Sequence, residues 1–348
     1  MRKLFLSIAV FVMALCANAQ TNQYFWYQGN LMMGNPIAQI DSVTFGEGEP
    51  TDTIHLLLPR TIIKEVHDTV YITIHDTVCP NDIPEGALAG EFSVSATKKV
   101  RFSKGNLQYN VHNDTWLFAN NQYDYIGKDN VANPQIIQRE QPTPYSIFYW
   151  QGTSIGNVVD LFAWSSDKDF SRKWGIESQA DENNKFNGNF VEWGVNINES
   201  WRTMSSEEWE YVISERPNSE NLIAIGSVNG TNGCILLPDN WQLPKNMTFN
   251  PAIADQRDSI YYSTINNYSI EEWKNMEKNG AVFLPASGDR SLPHNYVNWI
   301  NITGAYWSSS KINSNFASYF WITSNSLQTT YSNYYIGRSV RLVQDIDE

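Results

Sequence analysis

Few residues of this sequence have the type and spacing that chemistry needs. Asp289 stands next to Arg290 in a glycine-containing loop after an apolar run, which suits either a functional carboxylate or a pair that stabilises a turn. A glycosidase needs two carboxyls a few ångströms apart, and the sequence shows no such pairing. Glu207, Glu208, Glu271 and Glu272 fall in the first turns of expected helices, where acids complement the helix dipole. Of the five histidines, only His112 and His294 fall beyond residue 88, both in polar loop settings that read as surface positions. There is no His-x-x-x-His pair and no Cys-x-x-Cys, so no zinc or iron site is expected. The P-loop and G-x-G-x-x-G are absent as well. No catalytic residue, metal or cofactor is expected.

What the sequence does hold is stacking and hydrogen-bonding surface. Between His294 and Tyr335, 21 of 42 residues are Asn, Ser or Tyr. These types dominate adaptable binding surfaces, because Tyr offers contact area at low entropy cost while Ser and Asn offer flexible hydrogen bonds. Tyr296, Trp299, Tyr319, Trp321, Tyr331, Tyr334 and Tyr335 are the candidates for stacking. Asn298, Asn313, Asn315 and Asn333 are the candidates for hydrogen bonding. In "FASYFWITS", alternation puts Phe316, Ser318, Phe320 and Ile322 on one face of a strand and Ala317, Tyr319, Trp321 and Thr323 on the other. The first face is expected to be core, leaving Tyr319 and Trp321 to a ligand. A core strand with ordinary solvated loops is the competing reading.

The elements that must position these residues begin with a leader. Arg2 and Lys3 precede an apolar run from Leu4 to Leu15, and Ala17-Asn18-Ala19 supplies a cleavage site, which together read as a secretory signal peptide over 1–19. The run is too short to span a bilayer, and no later stretch approaches 18 apolar residues, so no membrane span is expected. The exported chain would reside in the periplasm, at the cell surface or outside the cell. Its formal charge of −13 deepens once Arg2 and Lys3 are removed, and no Lys/Arg cluster reverses it locally, which disfavours nucleic acid and anionic lipid as partners. Cys79 and Cys234 remain after cleavage; a disulfide and two separate thiols are both open.

Three regions follow the leader. Residues 20–46 read as a short β segment of two strands about a Gly-Asn turn. Residues 47–88 read as an extended linker in which His67-Asp68-Thr69-Val70 recurs as His75-Asp76-Thr77-Val78. Histidines eight apart on one strand lie about 26 Å apart at ~3.3 Å per residue, too far for one metal ion. The Asp-Ser/Thr-apolar triplets place Ser42, Thr53, Thr69 and Thr77 in what resembles an O-glycosylation signal of bacterial exported proteins. Residues 89–348 form the working domain. Two helices are predicted there, each with a capping box: Ser205 with Glu208 in "SSEEWEYVISER", and Ser269 with Glu272 in "SIEEWKNMEKNG". Short apolar strands ending in Leu-Pro follow each helix, and the rest is strands joined by long polar loops, an α+β pattern.

"WRTMSSEEWEYV" (201–212) resembles the arginine-then-helix motif of the formylglycine-generating-enzyme (sulfatase-modifying-factor) branch of C-type-lectin-like folds. "GAYWSSS" followed by the terminal "GRSVRLV", and the opening "GEFSVSATKKVRFSKGNLQYN", resemble bacterial exported domains of that branch. The resemblance implies a C-type-lectin-like domain with two short helices and several short antiparallel strands joined by long loops. It also implies that residues 337–341 form the last core strand, with Val340 and Leu342 inward. The branch's enzymes use a cysteine pair with copper or histidine-bound iron, and its sugar-binding relatives hold calcium through motifs that "LPDNW" and "YVNW" do not match. What the resemblance implies for this chain is a display platform, a non-catalytic module that grips a protein or glycan through its C-terminal Tyr/Asn/Ser-rich surface. A carbohydrate-active enzyme using Asp289 and a structural component of a cell-surface assembly are the alternatives.

Overall fold

The computed structural model describes residues 83–139, 147–165, 189–251, 266–291 and 296–346, together with the strand backbones at 22–27, 30–36, 61–66 and 69–74. The leader, His67, Asp68, His75, Asp76, Cys79, His294, Ser42, Thr53 and Thr77 lie outside the described residues. The chain divides into two units, Met1–Pro84 and Glu85–Glu348. In the first, β1 (Asn22–Tyr27) pairs antiparallel with β2 (Asn30–Pro36), and β3 (Thr61–Val66) pairs antiparallel with β4 (Thr69–Ile74). Part of the segment expected to be an extended linker is therefore a hairpin, built from the β-branched Thr, Ile and Val that suit a pleated strand. Thr69 opens β4, opposite Val66.

The second unit is a sheet-rich α+β fold of short, mostly antiparallel strands. It opens with β5 (Phe92–Ser93), β6 (Lys99–Phe102), β7 (Leu107–Asn110) and β8 (Thr115–Phe118), the last two forming a hairpin. The chain continues through β9 (Val131–Ala132), β10 (Gln135–Arg139), β11 (Ile147–Gln151), β12 (Ser154–Ile155) and β13 (Val158–Val159). After β14 (Arg202–Thr203) comes helix α1 (Ser206–Glu210), which widens into a π turn over Tyr211–Glu215 and stops at Arg216, the extended residue before Pro217. Next come β15 (Ile223–Val228), β16 (Thr231–Leu236), β17 (Asn267–Tyr268), helix α2 (Ile270–Lys278) and β18 (Val282–Pro285). The order β17-β15-β16-β18 forms one sheet, so the two Leu-Pro strands that follow the helices are neighbours. The chain ends with β19 (Asp289–Ser291), β20 (Tyr296–Asn298), β21 (Gly304–Lys311), β22 (Phe316–Ile322), β23 (Leu327–Asn333) and β24 (Leu342–Asp345). The last strand lies between β14 and β6 in a sheet ordered β14-β24-β6-β5, so the start and the end of the unit share one sheet.

Both capping boxes form. Ser205 Oγ accepts from Glu208 N while the Glu208 carboxylate accepts from Ser205 N, and Ser269 and Glu272 repeat the exchange. Gly280, at φ +93, lies just past the end of α2, where a side chain on Cα would strike Gly90. The faces buried are those the spacing predicts. Trp209 of α1 and Val212 of the π turn after it press on Phe102, Phe320 and Ile322, with Trp209 stacked on Phe320 at 4.9 Å between ring centroids. Trp273 and Met276 of α2 pack on Phe283 and Tyr268. A third cluster is rich in aromatics, with Trp164, Trp193, Trp201, Trp307, Phe162 and Tyr334 together. Cys234 is a fully buried free thiol in the first cluster, and burial pushes its pKa up. Among the described residues no helix is long and apolar enough to cross a membrane.

Candidate binding surface

The motif around Arg202 builds the frame. Arg202 donates to both oxygens of Glu208, at 2.7 and 2.8 Å, and to both oxygens of Asp345, at 2.7 to 3.0 Å. One guanidinium thus joins β14, the first turn of α1 and the last strand, using the fork geometry that suits carboxylates. Arg341 plays a comparable part inside the core, donating to Asn106, Gln122 and the carbonyl of Phe283. Burial pulls the Arg341 pKa down to about 10.

Residues 337–339 differ from the expected regular strand. They make single bridges to Arg290, Phe162 and Tyr306, and the regular strand begins at Leu342. Val340 and Leu342 are fully buried, and so is Arg341. The Arg290–Gly337 bridge sets Asp289 opposite Arg338. Arg338 is 6% exposed, and its guanidinium lies 3.6 Å from the centroid of the Tyr319 ring and 5.3 Å from that of Trp307. Burial lowers the Arg338 pKa, while Tyr319 and Asp289 act against the shift. Burial raises the Asp289 carboxyl, opposed by Arg338 and by the hydrogen bond from Asn298. Asn298 Nδ2 donates to Asp289 Oδ1 at 3.1 Å and to Ser291 Oγ at 3.0 Å. Among the described residues, the groups acting on Asp289 are thus an arginine and an amide. No three His, Cys, Asp or Glu side chains among them group so as to hold a metal ion.

This arrangement corrects the expected surface at three positions. Tyr319 was expected to face a ligand, but it is 9% exposed because the far face of β22 is also covered, by Trp307 and Arg338. Tyr334 is 1% exposed, stacked on Trp164 at 4.9 Å with its hydroxyl on the carbonyl of Asn313. Asn298 is 5% exposed and spends its amide on Asp289 and Ser291. These three belong to the scaffold.

Other candidates remain at the surface. Trp321 is half-buried at the rim of the aromatic cluster. Tyr296 is half-buried on β20, edge-on to Tyr149 at 6.3 Å, and Trp299 is half-buried in the turn after it at φ +56. Asn333 and Tyr335 are half-buried at the end of β23 and just after it. Asn313 and Asn315 are exposed in the β21–β22 loop, where Asn313 Oδ1 accepts from the backbone of Asn315 and Phe316 and so holds the loop. Tyr331 is the outstanding exposed ring, 60% exposed and leaning on Phe316 at 5.6 Å.

Tyr331 lies on β23, which pairs with β22 along its whole length and has no other strand beside it among the described residues. From Ile312 to Gly337 the chain has no Asp, Glu, Lys or Arg. Edge strands are ordinarily protected by charge, Pro, a bulge or brevity. β23 is seven residues long and has no charged residue, Pro or bulge of its own, although its Thr329 donates to the Glu210 carboxylate of α1 at 2.8 Å. Residue-by-residue alternation could not find this feature, although the charge-free run was its signal in the sequence. No known protein family, curated protein or solved structure matches this chain.

Proposed function

We propose that this chain is an exported, non-catalytic binding module whose partner docks along β23 and the adjoining β21–β22 loop. The observation that carries the reading is the long edge strand without a charged residue of its own, in a chain of formal charge −13. Interfaces are depleted of charge at their centre and enriched in Tyr, and an open edge offers a row of backbone donors and acceptors to an added strand. Both features favour a polypeptide partner over a glycan at this surface. Gln328, Thr330 and Tyr331 would make the contact, with Asn313 and Asn315 at its rim.

The fold assignment proposed with it is a C-type-lectin-like domain of the formylglycine-generating-enzyme branch. Its support is the Arg202 motif, which closes a capping box and clamps the terminal strand, and the pairing of β24 with β6. The test is binding of the exported chain to an array of host and bacterial surface proteins and glycans, beside Tyr331→Ala and a Gln328→Lys/Tyr331→Lys variant. Loss of a protein ligand in both variants supports the reading, and retention in the lysine variant moves the site elsewhere. The same edge offered to a second copy would make the chain an assembly component. Sedimentation would show this as concentration-dependent self-association that the lysine variant abolishes.

A further inference from the structure

The polar cleft on another part of the domain shares no residue with the surface above. It has a volume of about 420 Å³ and is lined by Gln108, Asn120, Tyr123, Asp124, Tyr125, Ile126, Asn229 and Thr231. We propose that this cleft is a second binding site, and that its ligand is a neutral saccharide.

The composition of the walls sets the ligand class. Tyr123 and Tyr125 are half-buried in the wall, and three amides and a hydroxyl offer both donors and acceptors. A sugar presents matching hydroxyls that donate and accept. Among the described residues no lysine or arginine lines the cleft, and the one charge there is the carboxylate of Asp124. Phosphorylated, sulfated and carboxylated ligands are therefore disfavoured. The volume lies in the range of small-molecule sites, and the cleft is open, which suits the end of a glycan.

Both walls are held before any ligand arrives. Asn120 to Ile126 form one wall, and the buried side chain of Gln122 ties it to the core by donating to Ala281 O at 3.0 Å and accepting from Phe283 N at 2.7 Å and Arg341 Nη2 at 2.8 Å. The far end of that wall is fixed by Ile126 N donating to the buried Asp160 at 2.8 Å. Asp124 is oriented through Oδ2, which accepts from Asn121 N at 3.0 Å and Asn121 Nδ2 at 2.8 Å. The opposite wall is the β15–β16 hairpin. Its tip, Asn229-Gly230, has both residues at positive φ and is pinned by Asn301, which donates to Gly230 O at 3.1 Å and accepts from Asn232 N at 2.6 Å. Rigid walls lower the ordering cost of binding, so these polar groups are pre-organised for a ligand.

The test titrates the exported chain with neutral mono- and disaccharides of glucose, galactose, mannose and N-acetylglucosamine, and with a sulfated disaccharide, by ligand-observed NMR. Tyr123→Ala removes a ring from the wall, and Asn229→Gly removes an amide while keeping the turn. The expected result is binding of at least one neutral saccharide, weakened about tenfold or more by each cleft variant and unchanged in Tyr331→Ala. Binding that both cleft variants leave intact, preference for the sulfated sugar, or no binding by the folded chain would each overturn the proposal. Because Tyr331→Ala acts only on the β23 surface, failure of either site is read separately.

Discussion

Replacing Arg202 with Met removes the guanidinium and keeps most of the stem. The lost bonds are of two kinds. The pair with Glu208 is partly buried, with side chains 24% and 17% exposed, and its two charge-assisted bonds are worth about 1.5–3 kcal/mol in total. The pair with Asp345 involves a side chain 55% exposed, where solvent screening leaves roughly 0–1 kcal/mol. The sum is about 2–4 kcal/mol, and at about 2–4 °C per kcal/mol for a domain of this size Tm should fall by roughly 5–15 °C. Thermal unfolding followed by near-ultraviolet circular dichroism measures the drop. A double-mutant cycle with Glu208→Gln isolates the pair and should return a coupling of about 1.5–3 kcal/mol. A change in Tm below about 2 °C, or no coupling, would refute the reading of Arg202 as the clamp between α1 and the terminal strand.

Further outcomes follow from the core. Asp160 is fully buried, and burial pushes its carboxyl up to about 6 against hydrogen bonds from Ile126, Asn130 and its own backbone. Its raised pKa contributes stability that is present below pH 3.8 and lost as pH rises through about 6, on the order of 3 kcal/mol; Asp160→Asn should flatten that part of the stability–pH profile in denaturant titrations. Trp209→Ala empties a site between Phe320 and Phe102 and should cost about 3–5 kcal/mol, read from the denaturation midpoint. Gly194→Ala would place its Cβ 1.6 Å from the carbonyl oxygen of Trp201, so folding yield and Tm should both drop sharply. Native alkylation followed by peptide mapping should leave Cys234 unmodified until the chain is unfolded, since its thiol is buried and held protonated.

The parts of this fold that were legible in the sequence are those fixed by neighbours in the chain. A capping box needs only Ser205 and Glu208 three residues apart, and the buried faces of α1 and α2 follow from helical spacing. The two strands that end in Leu-Pro were readable for the same reason. Tyr319 was not. Alternation sorts a strand's residues into two faces, but it does not say that both faces are covered, and here α1 covers one and Trp307 with Arg338 the other. Tyr334 was misplaced for a related reason, because its partner Trp164 lies far away in sequence. The place of Asp289 depends on Gly337 bridging Arg290, a contact that no local pattern encodes. The cleft between the Asn120–Ile126 wall and the β15–β16 hairpin joins residues more than a hundred positions apart.

The most direct test of β23 as the docking edge is to put charge on it. The chain and its Gln328→Lys/Tyr331→Lys variant would be compared across the same protein array, with circular dichroism to show that both are folded. The predicted result is one or more protein ligands held by the native chain and weakened at least about tenfold by the variant, a loss of roughly 1.4 kcal/mol or more. Ligands held equally by both chains, or none held by the folded native chain, would contradict it.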